Sequence, residues 1–461
     1  MAGIGFVLRR LTQRDDLLGF VQGYAYSMII SSGPWLVTVL AIAGVGVFAR
    51  HGTEIAEIEL FRIVIVYNFA FSLVFCGPLM MVVTRYLADA IFARRVEDAP
   101  AMLVAALALG GAVQAPIVIA FYGLYAALPP ALAVLAGCNY FVTAGVWVVS
   151  VFLTALKDFR SIGIAFLAGM TAGAAAGVLL AGPYGAAGIL AGFTLGLAVA
   201  FCLLAARVFA EYPYPWRDPR GFLGHFRRYA DLAAFGLLSN LAAWSDKWVM
   251  WFAPEAERPY HGLISYPAYD GAMFLAYLTL VPGMALFIVA VETEFFEHYK
   301  RYYRDIEHHA PLSRIRANQK AIASTLLAAA RNLIILQAAV AALAILLVPR
   351  LVDAGLLAVG QVGIFRFGSL GATFHALFLF VCVILSYFDL RRDLVRVNLV
   401  FLAANAGLTW AFLPLGYPFY GAGYFAAAMI AFLAAYLLLA ARVRRLPYLT
   451  FVRQNASVQI D

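Results

Sequence analysis

Asp246 and Lys247 stand side by side in the run Trp244-Ser245-Asp246-Lys247-Trp248, inside an otherwise apolar stretch, Tyr229–Phe252. Ionised side chains are costly in hydrocarbon, so where they are kept they mark a pathway, a relay or a paired structural contact. Neighbouring helical residues point about 100° apart, so the two are not placed to satisfy only each other. Lys247 shares its face with Trp244, three residues before it, and Trp251, four after, a spacing suited to cation–π contact. Asp246 needs a donor from another helix. The functional reading is a gate or substrate contact at the outer end of a pathway, with Trp244 and Trp248 beside it. The structural alternative is a lysine whose head snorkels outward within a tryptophan belt; an aspartate has no stem long enough to do the same.

Other polar residues are weaker signals. Arg62 and Asp270 fall at the outer starts of the second and eighth apolar segments, where an outer salt bridge or two solvated helix ends would both fit. His375 lies mid-segment and can titrate or serve as a hydrogen-bonded core residue. Asn68, Gln114, Asn139, Asn240, Gln337 and Asn405 are amides that either bind sugar hydroxyls or join helices. Arginine donors suited to a diphosphate are scarce in these segments. Tyr24, Tyr26, Trp35, Tyr67, Trp244 and Trp248 fit a neutral glycan better, although many aromatics simply anchor at interfaces. Beyond the eighth segment, Phe295, Tyr299, Tyr302 and Ile306 recur at helical spacing, a candidate docking face for a partner or for the membrane surface.

The elements that must position these residues are spanning helices. The chain of 461 residues is 64% hydrophobic and 13% charged, about half the charge of soluble domains. About 20 apolar residues cross a bilayer, and twelve segments qualify: Leu17–Ala49, Leu60–Leu87, Ala101–Tyr122, Pro130–Leu156, Ser161–Ala181, Ala186–Phe209, Tyr229–Phe252, Tyr269–Val291, Asn332–Val348, Ile364–Tyr387, Leu394–Leu415 and Tyr420–Ala441. Lys and Arg crowd alternate connections, which places both termini in the cytoplasm. The net charge of +8 then reflects loop arginines at a membrane surface and implies no nucleic acid. Cys76, Cys138, Cys202 and Cys382 lie in separate segments, against metal spacing and against a disulfide framework.

The expected fold is an all-α polytopic membrane protein with an N-terminal six-helix lobe (1–209), a cytoplasmic connection (210–228) and a C-terminal six-helix lobe (229–461) that carries a cytoplasmic extension (292–330). Met1–Trp35 opens it with a basic amphipathic segment, in which Ile4, Leu8 and Leu11 share a face, followed by an uncleaved first helix. Pro34 bends that helix at its middle; Pro78 and Pro282 bend the second and eighth. Aligning Pro78 with Pro282 also aligns Met80 with Met284, a faint internal repeat.

The opening Met-Ala-Gly-Ile-Gly-Phe-x-Leu-Arg-Arg, the aspartates that follow, Asp15 and Asp16, and Ser31-Ser32-Gly33-Pro34-Trp35 in the first helix resemble the PelG family, the inner-membrane transport subunits of Pel exopolysaccharide machinery. Length and topology agree over essentially the whole chain. The resemblance implies a MOP flippase superfamily fold, with two six-helix lobes around a cavity lined by the first, second, seventh and eighth helices. It further implies passage of an N-acetylgalactosamine-rich polymer across the inner membrane for biofilm matrix. A cytosolic glycosyltransferase and two further membrane subunits are the implied partners.

No P-loop, HExxH or DxD pair is present, and no cofactor, metal site or catalysis is expected. The leading reading is a polysaccharide transporter, moved by alternating access of two lobes or by a polymerase pushing chain through it. Against it stand an ion-coupled exporter of a lipid-linked sugar or small cation, a membrane glycan polymerase, and a scaffold that assembles partners. A cation exporter would need an acid in the first helix, and Leu17–Ala49 has none. A polymerase would need roomy outer loops, and these are short.

Overall fold

The computed structural model describes residues 17–94, 96–156, 158–215, 221–260 and 262–453; the amphipathic segment at residues 4–14 lies outside them. The described chain is nearly all helix. In order it forms α1 (Leu17–Phe48), α2 (Ile55–Phe92), α3 (Ala99–Ala120), α4 (Pro130–Leu156), α5 (Phe159–Glu211), α6 (Gly221–Arg228) and α7 (Ala230–Met250). A hairpin of β1 (Glu257–Tyr260) and β2 (Leu263–Ser265) follows. Then come α8 (Pro267–Leu278), α9 (Leu280–Ala290), α10 (Phe296–Glu307), α11 (Leu312–Leu346), α12 (Val348–Asp353), α13 (Val362–Tyr387), α14 (Arg391–Phe412) and α15 (Ala422–Arg444). Among the described residues, nine helical segments are long and apolar enough to cross a membrane.

Two compact units divide the chain. The first holds Ser32–Trp244 and Trp251–Pro267; the second holds Ser245–Met250 and the chain from Ala268 onward, together with the start of α1 up to Ser31.

In the first unit α5 runs for 53 residues, about 80 Å at 1.5 Å per residue, well over twice a hydrocarbon thickness of about 30 Å. It is two limbs joined at Gly185, whose φ of +56° favours glycine. There the Ala186 amide donates to the Glu57 carboxylate at 2.7 Å. This is where the sequence predicts the turn between its fifth and sixth segments. The two limbs pack face to face through glycines: a Cβ on Gly169 would lie 2.8 Å from the Ala200 Cβ. At the other end of α5, Asp158 caps the helix and accepts from Arg207 Nε at 2.7 Å and from the Ser161 hydroxyl at 2.7 Å. Burial alone would raise the Asp158 carboxyl, but the bonds from Arg207 and Ser161 outweigh it and hold it below its ordinary value. Its stabilising contribution is therefore complete above the ordinary carboxylate range and fades as pH falls through the lower folded value.

The hairpin, absent from the sequence reading, is pinned in the same unit by Tyr67, whose hydroxyl donates to the Ile264 carbonyl at 2.8 Å and accepts from the Ile264 amide at 2.9 Å. Tyr67 also stacks on Trp251, with ring centroids 4.8 Å apart. The short basic α6 packs on α2 by His225 against Tyr86 at 4.7 Å, and Tyr229 hydrogen-bonds Asp89.

In the second unit the eighth predicted segment is broken between α8 and α9 at Thr279, three residues before Pro282. Pro282 lacks the amide that would bond back to Leu278, so the break falls on that turn. Pro78 and Pro34 instead sit inside α2 and α1, which continue through them. The ninth segment is much longer than its apolar core: helix begins at Leu312, twenty residues before the predicted Asn332, and the added turns combine good helix formers with a buried face of Ile315, Ile322 and Leu326. The aromatic face expected to dock a partner is corrected here. Phe295 and Tyr302 are fully buried. Phe295 packs edge-on to Tyr387 and Phe388, Tyr299 donates to the Tyr387 carbonyl at 3.0 Å, and the Tyr302 and Thr450 hydroxyls are 3.5 Å apart. Ile306 is half-buried beside them. This stripe is mostly internal packing, with Tyr299 and Ile306 half-buried. The turn beyond it is closed by Asp305, which accepts from Asn318 at 2.7 Å and Arg314 at 2.9 Å.

Gly169→Val places methyls where Ala200 stands, so overpacking should cost about 1–3 kcal/mol. The melting temperature of the purified protein should fall; an unchanged value would contradict the close crossing of the two α5 limbs.

Candidate functional site

The second unit gathers a polar cluster from five helices. Asp246 and Lys247 come from the last turn of α7, Tyr269 and Tyr277 from α8, His375 from α13, Asn405 from α14 and Tyr424 from the first turn of α15. Asp246 has no exposed surface and Lys247 is 9% exposed. One oxygen of Asp246 accepts from Tyr269 at 3.0 Å and the other from Asn405 Nδ2 at 3.1 Å. The donor that Asp246 requires from other helices is thus supplied twice. Lys247 Nζ lies 3.1 Å from both carboxylate oxygens. The neighbours do pair, the long lysine stem folding back despite the 100° offset, but not with each other alone, since Tyr269, Asn405 and Tyr277 complete the set.

Lys247 also has aromatic partners that the sequence did not indicate. Its ammonium lies 4.5 Å from the centroid of Tyr277 and 5.8 Å from that of Tyr424, and 3.4 Å from the Tyr277 hydroxyl. Trp251 stacks on Tyr67 in the first unit. The Tyr277 and Tyr424 rings lie with centroids 5.7 Å apart, and Tyr424 meets His375 Nδ1 at 2.9 Å. Side-chain contacts therefore run from His375 through Tyr424 and the ion pair to Asn405. A buried pair is weakly favourable as a whole, but removing one member strands the other charge. Satisfying every oxygen and proton, as here, is what makes it tolerable.

Other predicted residues sit elsewhere. Asn68 belongs to an uncharged network in the first unit. It donates to Asn139 Oδ1 at 2.8 Å and accepts from Tyr122 at 2.7 Å, while Asn139 donates to Thr194 at 3.0 Å. Asn240 donates to the Leu73 carbonyl at 3.0 Å, beside a crossing where a Cβ on Gly77 would meet Gly236 and Asn240. These amides join helices. Arg62 is exposed, with its guanidinium against the α1 backbone at Gly46, and Asp270 stands in the first turn of α8; they belong to different units. Trp244 and Trp248 are half-buried on either side of the charged pair. A cavity of about 260 Å³ in the first unit, walled by Leu107, Phe141, Val148 and Phe201 with Gln114 as a polar neighbour, carries no charged side chain and is a poorer candidate than the cluster. Among the described residues no group of three or more His, Cys, Asp or Glu could hold a metal.

A family model described as "PelG: Putative exopolysaccharide Exporter (EPS-E)" matches residues 1–451. The chain belongs to the PelG family. No curated protein matches the sequence. Among solved structures, a MOP superfamily transporter from Pyrococcus furiosus is similar at 16% identity and a TM-score of 0.65, covering 95% of this chain and 98% of that one. A multidrug resistance MATE family transporter of the same superfamily, in an outward-facing conformation, is similar at 16% identity and a TM-score of 0.63, covering 96% and 98%. Its inward-facing counterpart gives 16%, 0.59, 91% and 99%. This PelG-family protein thus has the fold of MOP superfamily transporters, and family and fold together point to a transporter.

Tyr269, Tyr277 and Tyr424 were not legible as site residues among 24 tyrosines; their signal is only that Asp246 and Lys247 demand partners. Asp246→Asn and Lys247→Met should each destabilise by about 3–5 kcal/mol, and the double variant should recover most of that loss. Thermal unfolding of the three proteins checks this; additive losses would contradict the pairing.

Proposed function

We propose that this protein moves an N-acetylgalactosamine-rich, Pel-like polysaccharide across the bacterial inner membrane, as the transport subunit of a synthase and export complex for biofilm matrix. The observation that carries the reading is the match to an exopolysaccharide exporter family over residues 1–451. In this reading twelve helices span the bilayer, in lobes at 1–209 and 229–461 joined by 210–228, with both termini cytoplasmic and 292–330 extending into the cytosol. Support for the count comes from the double length of α5 and from α7 and α1. α7 is 21 residues long and carries the charged pair. α1 contributes an apolar helix at Ser32–Phe48. A cytosolic glycosyltransferase and further membrane subunits complete the machine.

Asp246 and Lys247, with Trp244 and Trp248 beside them, are the proposed gate. A buried, fully paired charge is rigid while paired and costly when opened, a property suited to a barrier. The aromatic and amide character of the surrounding residues suits a neutral N-acetylated glycan, which needs ring platforms and hydrogen bonds more than arginine forks.

Secreted hexosamine polymer should vanish in a deletion strain. It should fall at least about tenfold, a barrier change of roughly 1.4 kcal/mol, with Asp246→Asn plus Lys247→Met at normal membrane abundance. Normal secretion by the deletion strain would overturn the polysaccharide reading in favour of an ion-coupled exporter of a lipid-linked sugar or small cation. Normal secretion by the double variant would make the pair purely structural.

A further inference from the structure

We propose that the Asp246 pocket is a monovalent-cation site filled from within, with the Lys247 ammonium standing where a free alkali cation would otherwise bind. The inference rests on the geometry of the second unit and holds whatever the exported substrate is.

The chemistry around Lys247 Nζ is that of a cation site. Both Asp246 oxygens lie at 3.1 Å, the Tyr277 hydroxyl at 3.4 Å, and the Tyr277 ring face at 4.5 Å from its centroid. Two carboxylate oxygens, a phenol oxygen and an aromatic face are ligands that a hard monovalent ion accepts as readily as an ammonium does. The carboxylate is preorganised by Tyr269 and Asn405, which donate to its two oxygens. Of the titratable side chains around the pair, Tyr269 and Tyr277 reach it from α8, Tyr424 from α15, and His375 from α13 through Tyr424. Among these, Asp246 carries the negative charge that needs a counter-ion. Buried so completely, it must be neutralised by something.

Tethering decides what that something is. The ammonium is one residue away, so its effective concentration at the carboxylate exceeds that of any free ion by the logic of intramolecular binding. An exchangeable cation would leave with a change in its gradient; a lysine cannot. The pair is therefore charge-balanced without an external ion, and the site offers an ion gradient nothing to act on.

The test uses the full-length protein in detergent, with melting temperature read in choline against Na+ at matched ionic strength and fixed pH. Wild type should show no difference. Lys247→Met should gain a Na+-dependent rise of about 2–4 °C, because an ion that binds only the native state stabilises it by mass action. Asp246→Asn with Lys247→Met, which lacks both charge and need, should lose the response. A Na+ response in wild type equal to that of Lys247→Met would overturn the proposal. So would a folded Lys247→Met that ignores Na+. Should Lys247→Met fail to fold in choline, its yield of monodisperse protein purified throughout in Na+ gives the same reading: recovery in Na+ alone supports the internal counter-ion, and no recovery in either salt overturns it.

Discussion

A carboxylate with no exposed surface, set in an apolar helical bundle, constrains everything that packs around it. Asp246 needs an opposite charge and hydrogen-bond donors on both oxygens, or burying it costs more than a bundle can supply. The second unit meets that need from several directions: lysine from the next residue, tyrosine from α8, amide from α14. The tyrosines that hold the lysine are in turn held by α13 and α15 through His375 and Tyr424. The helix starts at Pro267 and Ala422 matter because they put Tyr269 and Tyr424 in first turns, at the level of the last turn of α7.

The first unit solves burial differently. Its interior polar groups are amides and hydroxyls, with Asn68, Asn139, Tyr122 and Thr194 in one neutral network. Glycine crossings bring backbones close enough that dispersion and packing hold the helices. Such a network specifies which helices pair without storing charge. The two units thus share a helical architecture but differ in electrostatics: among the described residues one buries only neutral polar groups, while the other is built on an ion pair.

The all-helical, membrane-spanning character was legible because apolar length is a strong signal in membrane chains. Asp246 and Lys247 stood out for the same reason, as charges where the pattern allows almost none. That Asp246 needs donors from other helices was legible; which residues supply them, Tyr269 and Asn405, was not. Phe295, Tyr299 and Tyr302 misled because helical spacing identifies a stripe that will be covered but not by what; Tyr387, Phe388 and Thr450 cover it. The α11 start at Leu312 escaped because hydropathy measures membrane depth, while the helix continues on propensity and on the buried face of Ile315, Ile322 and Leu326. The β1–β2 hairpin was missed because the polar connection after α7 had been read only as a short outer loop.

The most direct test of the central claim, that polymer passes the seventh helix, is capture of the polymer there. A photo-crosslinking phenylalanine analogue in place of Trp248, activated in cells that are making polymer, should yield a protein adduct of high mass that contains hexosamine. Its yield should drop to background when polymer synthesis is blocked. An abundant, correctly inserted variant that never captures hexosamine polymer, or captures it equally with synthesis blocked, would contradict the account.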